Sequence, residues 1–410
     1  MTTQTIFIII LTIFLAETFL TKFLWYLNTR RWSDELPAEL EGIYDGEKYA
    51  KSQQYERTKY KFSWISSSVS FAIMLLMLIF GWFWALDSLL RNVTQNPILL
   101  ALMFFGIISS VSTLIGIPFS YYGTFVIEEK FGFNKMTKKL FFLDTLKSFL
   151  LSLVIGWPIL ALIVWIYTLT WSEFWIYAWA IATAFSLFMM MFYSSLIVPL
   201  FNKQTRLEEG ELRDAIEGFA EKVGFTGTDI FVIDGSKRSS KANAYFSWFW
   251  PKKRIVLFDT LIKDLSTEEL VAVLAHEIGH YKKKHTLQML TMSIIQTGVV
   301  LYVLSLALSM PEVSFALGAE QQSFYIGAVA FWFLFTPISI GFGIISSMVS
   351  RKNEYEADAY ARENYSGEHL RNALIKLSRN NLSNLRPHPA YEFFYYSHPT
   401  VLKRLAALEK

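Results

Sequence analysis

Over much of this chain the apolar residues follow neither a strand period nor a one-faced helical period. They gather into long runs almost free of charge. A bilayer hydrocarbon core needs about 20 apolar residues in a helix. Seven runs reach that length, at about 6–28, 64–88, 97–126, 148–170, 174–199, 286–310 and 325–350. The pattern predicts a mainly α membrane protein with seven transmembrane helices. Glu17 and Lys22 interrupt the first run; charges at that depth face a protein interior or snorkel. That run has no basic leader and no small-residue cleavage site, so it reads as a retained helix rather than a signal peptide.

Two segments are polar enough to stand in water, at about 201–285 and 351–410. The first mixes patterns. Leu207–Val223 has helical spacing, Thr228–Asp234 is rich in β-formers, and Ala242–Trp250 is aromatic and strand-like. Arg254–Phe258 reads as a further strand, after a turn marked by Pro251 and two lysines. A small β-sheet is expected here. The chain thus divides into 1–200, with five membrane helices and their loops; 201–285; 286–350, with two more membrane helices; and a tail, 351–410.

Composition supports the membrane reading. Of the 410 residues, 53% are hydrophobic, with 36 Phe, 20 Tyr and 13 Trp, the aromatic load of lipid-facing helices and interfacial belts. A net charge of +3 is too small to argue for nucleic acid. The loops differ in sign. Basic residues crowd the loop after the first run (Arg30, Arg31, Lys48, Lys51), the loop after the third (Lys130, Lys135, Lys138, Lys139), the 201–285 segment and the tail. The intervening loops hold Arg91 alone, or no Lys or Arg at all. The positive-inside rule then places the amino terminus outside, and both polar segments in the cytoplasm.

With no Cys, thiolate metal sites and disulfides are excluded; any metal must be held by carboxylates and the six His. Ser266 and Glu269 form a capping box, and the helix that follows carries His276-Glu277-Ile278-Gly279-His280. Two His four residues apart share a helix face and can reach one Zn²⁺, while Glu277 can act as base on its water. Chance gives this pattern in roughly one chain of this length in a hundred. A catalytic zinc takes three protein ligands. After the last run, Glu354 and Asp358 share a helical face and Glu356 points elsewhere. Glu354 is the candidate third ligand and Asp358 an orienting partner, although an acidic helix start would show the same residues. His285, His369 and His388 have no ligand spacing and read as structural or surface residues.

These strings, with Pro118-Phe119-Ser120-Tyr121-Tyr122, Glu128-Glu129-Lys130-Phe131-Gly132-Phe133-Asn134-Lys135, Asn243-Ala244-Tyr245-Phe246, Asn353-Glu354-Tyr355-Glu356-Ala357-Asp358 and Ser397-His398-Pro399 with Arg404, resemble the CAAX prenyl protease 1 family over nearly the whole chain. The resemblance implies helices enclosing a large chamber, capped on the cytoplasmic side by a gluzincin-like zinc protease domain. It implies one zinc per chain on His276, His280 and Glu354, catalysis by Glu277, and His398 and Arg404 beside the metal. It also implies removal of three residues after a prenylated cysteine. Asn243, Ala244 and Tyr245, in an edge-strand pattern, are the candidate residues for binding an extended peptide by main-chain pairing. The expected partners are a peptide or protein substrate and the lipid bilayer. Two rivals differ in class: a quality-control protease for unprenylated membrane proteins, and a transporter, for which Glu17, Lys22 and the breaks at Gly116–Pro118 and Gly156–Pro158 give thin support. The absence of Cys and of a retrieval signal at the Ala-Leu-Glu-Lys end favours a prokaryotic inner membrane over an endoplasmic reticulum.

Overall fold

The computed structural model describes residues 1–247 and 253–409. The part of the expected Ala242–Trp250 strand beyond Ser247, and the expected turn at Pro251, lie outside them. The first half of the chain is helical: α1 (Thr3–Thr29), α2 (Gly46–Ile79), α3 (Trp82–Arg91), α4 (Pro97–Tyr122), α5 (Lys138–Thr170), α6 (Phe174–Phe192) and α7 (Val198–Phe201). Then come β1 (Gln204–Arg206), α8 (Glu211–Lys222), β2 (Thr228–Ile233), β3 (Ala244–Ser247), β4 (Lys253–Phe258), α9 (Asp259–Asp264) and α10 (Thr267–Lys282). The chain ends with α11 (His285–Leu308), α12 (Pro311–Phe315), α13 (Phe324–Ala361), α14 (Gly367–Asn380), α15 (Pro389–Tyr395) and α16 (Val401–Leu408).

Among the described residues six helical stretches are long and apolar enough to cross a membrane. The expected fourth and fifth spans fall in one stretch, Lys138–Phe201, of 64 residues. A straight helix of that length would be about 96 Å long, some three times a bilayer core. It is broken at Trp171–Glu173 by a tight 3₁₀ turn, with Trp171 at φ 50°. Val164 and Tyr167 before the turn share a core with Phe174 and Ala178 after it, so the chain doubles back there. The expected run at 64–88 is also divided. Gly81, at φ 63°, ends α2 and starts α3 in a left-handed conformation that glycine adopts without strain.

The sheet has the order β1-β2-β4-β3. β2 and β4 are parallel, while β1 and β3 pair antiparallel on the outside. The expected helix at Leu207–Val223 starts only at Glu211. Leu207 N still bonds to Ile230 O, prolonging the β1–β2 pairing, and Gly210, at φ 150°, makes the turn.

Two large apolar cores sit at opposite ends. One joins Ile6, Phe83, Phe104, Val164, Phe174, Leu308 and Tyr325. The other joins Leu40, Phe219, Ile255, Leu274, Ala361 and Leu405, the centre of the polar segments. Between them the helices are sparsely packed: in the apolar windows of α2 and of Lys138–Phe201 only 6% of the residues are buried. At 1.5 Å per residue, the 38-residue α13 is about 57 Å long. That exceeds the roughly 30 Å of a hydrocarbon core, so its last turns reach into the second of these cores.

Candidate active site

α10 begins as the sequence anticipates. Ser266 Oγ accepts from Glu269 N, and Glu269 returns the bond to Ser266 N. The apolar face of α10, with Leu270, Val271, Leu274, Ala275 and Ile278, is buried in the core of the polar segments. That seating turns His276 and His280 toward α13. The two helices touch at Gly279, where an added Cβ would stand 3.1 Å from Ala357 Cα. This close approach brings Glu354 and Asp358, one turn apart on α13, against the two histidines.

His276 Nε2 lies 3.1 Å from His280 Nε2. Glu354 Oε2 is 3.6 Å from His276 Nε2, and Oε1 is 3.4 Å from His280 Nε2. Ligands at 2.0–2.1 Å around a tetrahedral zinc stand about 3.3 Å apart, so the three side chains have the spacing of a ligand set. Glu354 Oε2 is also buried without an aligned hydrogen bond, although Arg404 Nη1 stands 3.1 Å away as an ion pair. An acceptor left so, facing two imidazole nitrogens, fits a cation. Among the described residues these three form the one group of His, Asp and Glu placed to hold a metal, with one atom from each within 4.8 Å of the others.

Around them lies a second ring of contacts. Asp358 Oδ1 is 2.8 Å from His276 Nδ1. A proton held there leaves the Nε2 lone pair free for a metal. Arg404 donates to both Asp358 oxygens, from Nε at 2.8 Å and from Nη2 at 2.6 Å. One buried guanidinium thus neutralises two buried carboxylates, Asp358 and Glu354. His398 Nε2 is 3.3 Å from Glu354 Oε1, on a side chain otherwise open to solvent. Glu277 is half-buried beside the cluster. Its burial raises the carboxyl above the usual carboxylate range, against the pull of His276 and His280.

Sequence reasoning missed His285 and Glu356. The left-handed Lys284, at φ 61°, turns α10 into α11 and brings His285 back under His280. Their Nδ1 atoms are 3.0 Å apart, and His285 Nε2 is 3.1 Å from Glu356 Oε2. His285 therefore orients a candidate ligand and is not a surface residue. No spacing rule links a residue five positions on through a reversed turn. His369 and His388 sit at the starts of α14 and α15, where His388 Nδ1 accepts from Ala390 N. Ala244 and Tyr245 lie on β3, and Asn243 immediately precedes it. Asn243 O accepts from Phe258 N, and Tyr245 OH bonds with Ser194 and Gln204. Among the described residues β3 is the last strand of the sheet, with its outer edge unpaired.

Two family models together cover the chain from Trp25 to its end. Residues 25–203 match the CAAX prenyl protease N-terminal domain with five membrane helices, and residues 206–410 match peptidase family M48. The chain is 38% identical to CAAX prenyl protease 1 of Saccharomyces cerevisiae, over 96% of this chain and 93% of that protein. It is 33% identical to the human CAAX prenyl protease 1 homolog, over 97% and 93%. The crystal structure of S. mikatae Ste24p superposes with a TM-score of 0.92 at 37% identity, covering 99% of both chains. With an M48 match over the half that carries the histidine helix, and likeness to the prenyl proteases along its whole length, the chain belongs to peptidase family M48 and is an integral membrane zinc metalloprotease of the CAAX prenyl protease 1 type.

Proposed function

We propose that this protease removes the last three residues of prenylated peptides or proteins, using one zinc per chain held by His276, His280 and Glu354. The observation that carries the reading is the convergence of those three side chains, backed by Asp358, His285 and Arg404, on a face of α10 that also presents Glu277. Zinc, when bound there, lowers the pKa of its water to about 7 and polarises the scissile carbonyl.

The chain's own residues do the rest. Glu277 takes the proton of the attacking water and delivers it to the leaving amine. Asp358 and His285 fix the orientation of the two imidazoles. Arg404 holds the carboxylates in place, and His398 donates toward the oxygen on which charge develops. The free edge of β3 at Asn243–Tyr245 pairs with the extended substrate backbone, which fixes the scissile bond while tolerating varied side chains.

The helices are read as seven spans around a chamber, with the turn at Trp171–Glu173 separating the fourth from the fifth. Two cores at the ends and sparse burial between them support that reading. The basic loops place the zinc side in the cytoplasm. Mass mapping of products from prenylated and plain versions of one peptide is the test. Loss of a C-terminal tripeptide from the prenylated form alone is expected. Equal cleavage of both would favour the quality-control alternative.

A further inference from the structure

A cavity of about 560 Å³ opens beside His398 and extends away from the histidine cluster. Its size lies within the roughly 300–1,000 Å³ of small-ligand pockets. Its wall includes Tyr55, Lys59, Lys241, Asn381 and Leu382. Three of these have properties that ordinary packing does not require. Asn381 Oδ1 is buried and accepts no hydrogen bond, a rare condition that calls for a donor. Leu382 is a bulky buried residue held at φ 50°, a conformation that costs energy and clusters at functional sites. Lys241 Nζ is fixed at 2.8 Å from both Tyr55 OH and Glu128 Oε2. An ammonium has three N–H donors; besides these two oxygens Nζ has the Phe133 ring at 4.4 Å, so a carboxylate would compete there only with that weaker contact. Lys59 Nζ stands on the same tyrosine, 4.4 Å from its ring, and pairs with Glu56 at 2.7 Å.

The polarity of β3 says what enters this cavity. A peptide added to the free edge of β3 pairs best antiparallel, the slightly more stable arrangement. It then runs against the strand, so its carboxyl end points past Asn243 toward Lys241, two residues upstream. Three extended residues span about 10 Å.

We infer that this cavity receives the three residues to be released and that Lys241 and Lys59 bind the substrate's free C-terminal carboxylate, while Asn381 Oδ1 accepts a backbone N–H of the same segment. The subsite measures the distance from the cut to the end of the chain. The inference rests on the proposed tripeptide removal.

The test uses the full-length zinc-loaded protein in detergent and three prenylated peptides: the free acid, its C-terminal amide, and the acid extended by two residues. Charge-assisted hydrogen bonds of this kind carry roughly 10- to 100-fold in affinity. The wild-type kcat/KM is therefore expected to fall about 10- to 100-fold for the amide and the extended peptide. Lys59→Met, at a partly exposed position, and Lys241→Met should bring acid and amide to within about three-fold of each other by slowing the acid alone. The released tripeptide should inhibit the wild type more strongly than its amide. Equal wild-type rates for acid and amide at the expected bond would overturn the inference and leave the proposed function standing. Equal slowing of both peptides in Lys59→Met would also overturn it. Cleavage elsewhere than three residues from the end would overturn the tripeptide reading, and the inference with it.

Discussion

Replacing Gly279 by Ala should weaken the metal site although it improves the helix. In an exposed helix interior the exchange stabilises by roughly 0.5–1 kcal/mol, because glycine loses more freedom on folding. At Gly279 the added Cβ would lie 3.1 Å from Ala357 Cα, 3.1 Å from Tyr360 Cβ and 3.2 Å from Ala357 O. Two of those three atoms are backbone and cannot turn aside. Comfortable carbon contacts begin near 3.5 Å, so α13 must retreat by about 0.4 Å or more. Overpacking of this kind costs about 1–3 kcal/mol, which equals or exceeds the propensity gain. Glu354 lies three residues before Ala357 on the same helix and moves with it. Metal–ligand distances hold to within about 0.2 Å, so the shift exceeds what the site tolerates. A 10- to 100-fold loss of zinc affinity is expected, the scale found when a ligand's supporting contacts are removed. Chelator competition on the purified variant measures it, with thermal unfolding of the chelated protein as a separate readout. Gly218→Ala on α8 is the control: its Cβ would meet nothing within 4 Å, and it should stabilise without touching zinc. A Gly279→Ala protein with wild-type zinc affinity and a raised Tm would refute the reasoning.

Glu277→Ala should retain its zinc and lose about 100- to 10,000-fold in turnover, the range of general-base catalysis; metal analysis beside a peptide assay checks both halves. His398→Ala should slow turnover by about 100- to 1,000-fold with zinc occupancy intact, as followed by steady-state kinetics at saturating metal. Arg404→Ala leaves Asp358 and Glu354 as buried carboxylates without their cation, so a destabilisation of about 3–5 kcal/mol is expected, read as a lowered denaturation midpoint. His285→Ala should lower zinc affinity about 10- to 100-fold with little change in turnover once zinc saturates; chelator competition again decides.

What the sequence made legible followed from local rules. Apolar runs identify membrane helices because length alone sets the requirement. The His276-Glu277-x-x-His280 spacing and the Ser266–Glu269 box are properties of one helix and need no tertiary knowledge. What stayed hidden depends on chain reversal. The apolar runs already stop at 170 and resume at 174, so the break itself was legible, but the positive-φ Trp171 that reverses the chain there has no Gly or Pro to announce it. β1 is three residues long and exists through its pairing with β2. Asn243–Tyr245 were readable as an edge strand, but Lys241 joins Tyr55 across 186 positions and Glu128 across 113, a separation no pattern spans.

The candidate site is divided between two kinds of structure, and that division has a physical consequence. His276 and His280 ride on a helix seated in the core of the polar segments, whereas Glu354 and Asp358 ride on the end of the longest, largely apolar helix. Neither element alone offers a three-ligand set. Binding free energy gained at the site therefore acts as docking energy between α10 and α13, and Arg404, from α16, ties in the carboxyl-terminal tail through the same carboxylates. A metal bound there stabilises the seating of the whole polar region on the membrane bundle. Removing zinc should thus loosen contacts well beyond the ligands. Hydrogen exchange of the protein with and without chelator should show the change along the Gly279–Ala357 contact and in α16, while the distant core around Phe104 and Tyr325 keeps its protection. If exchange after chelation rises at His276 and His280 alone, the ligands are held by their own helices and this coupling does not exist.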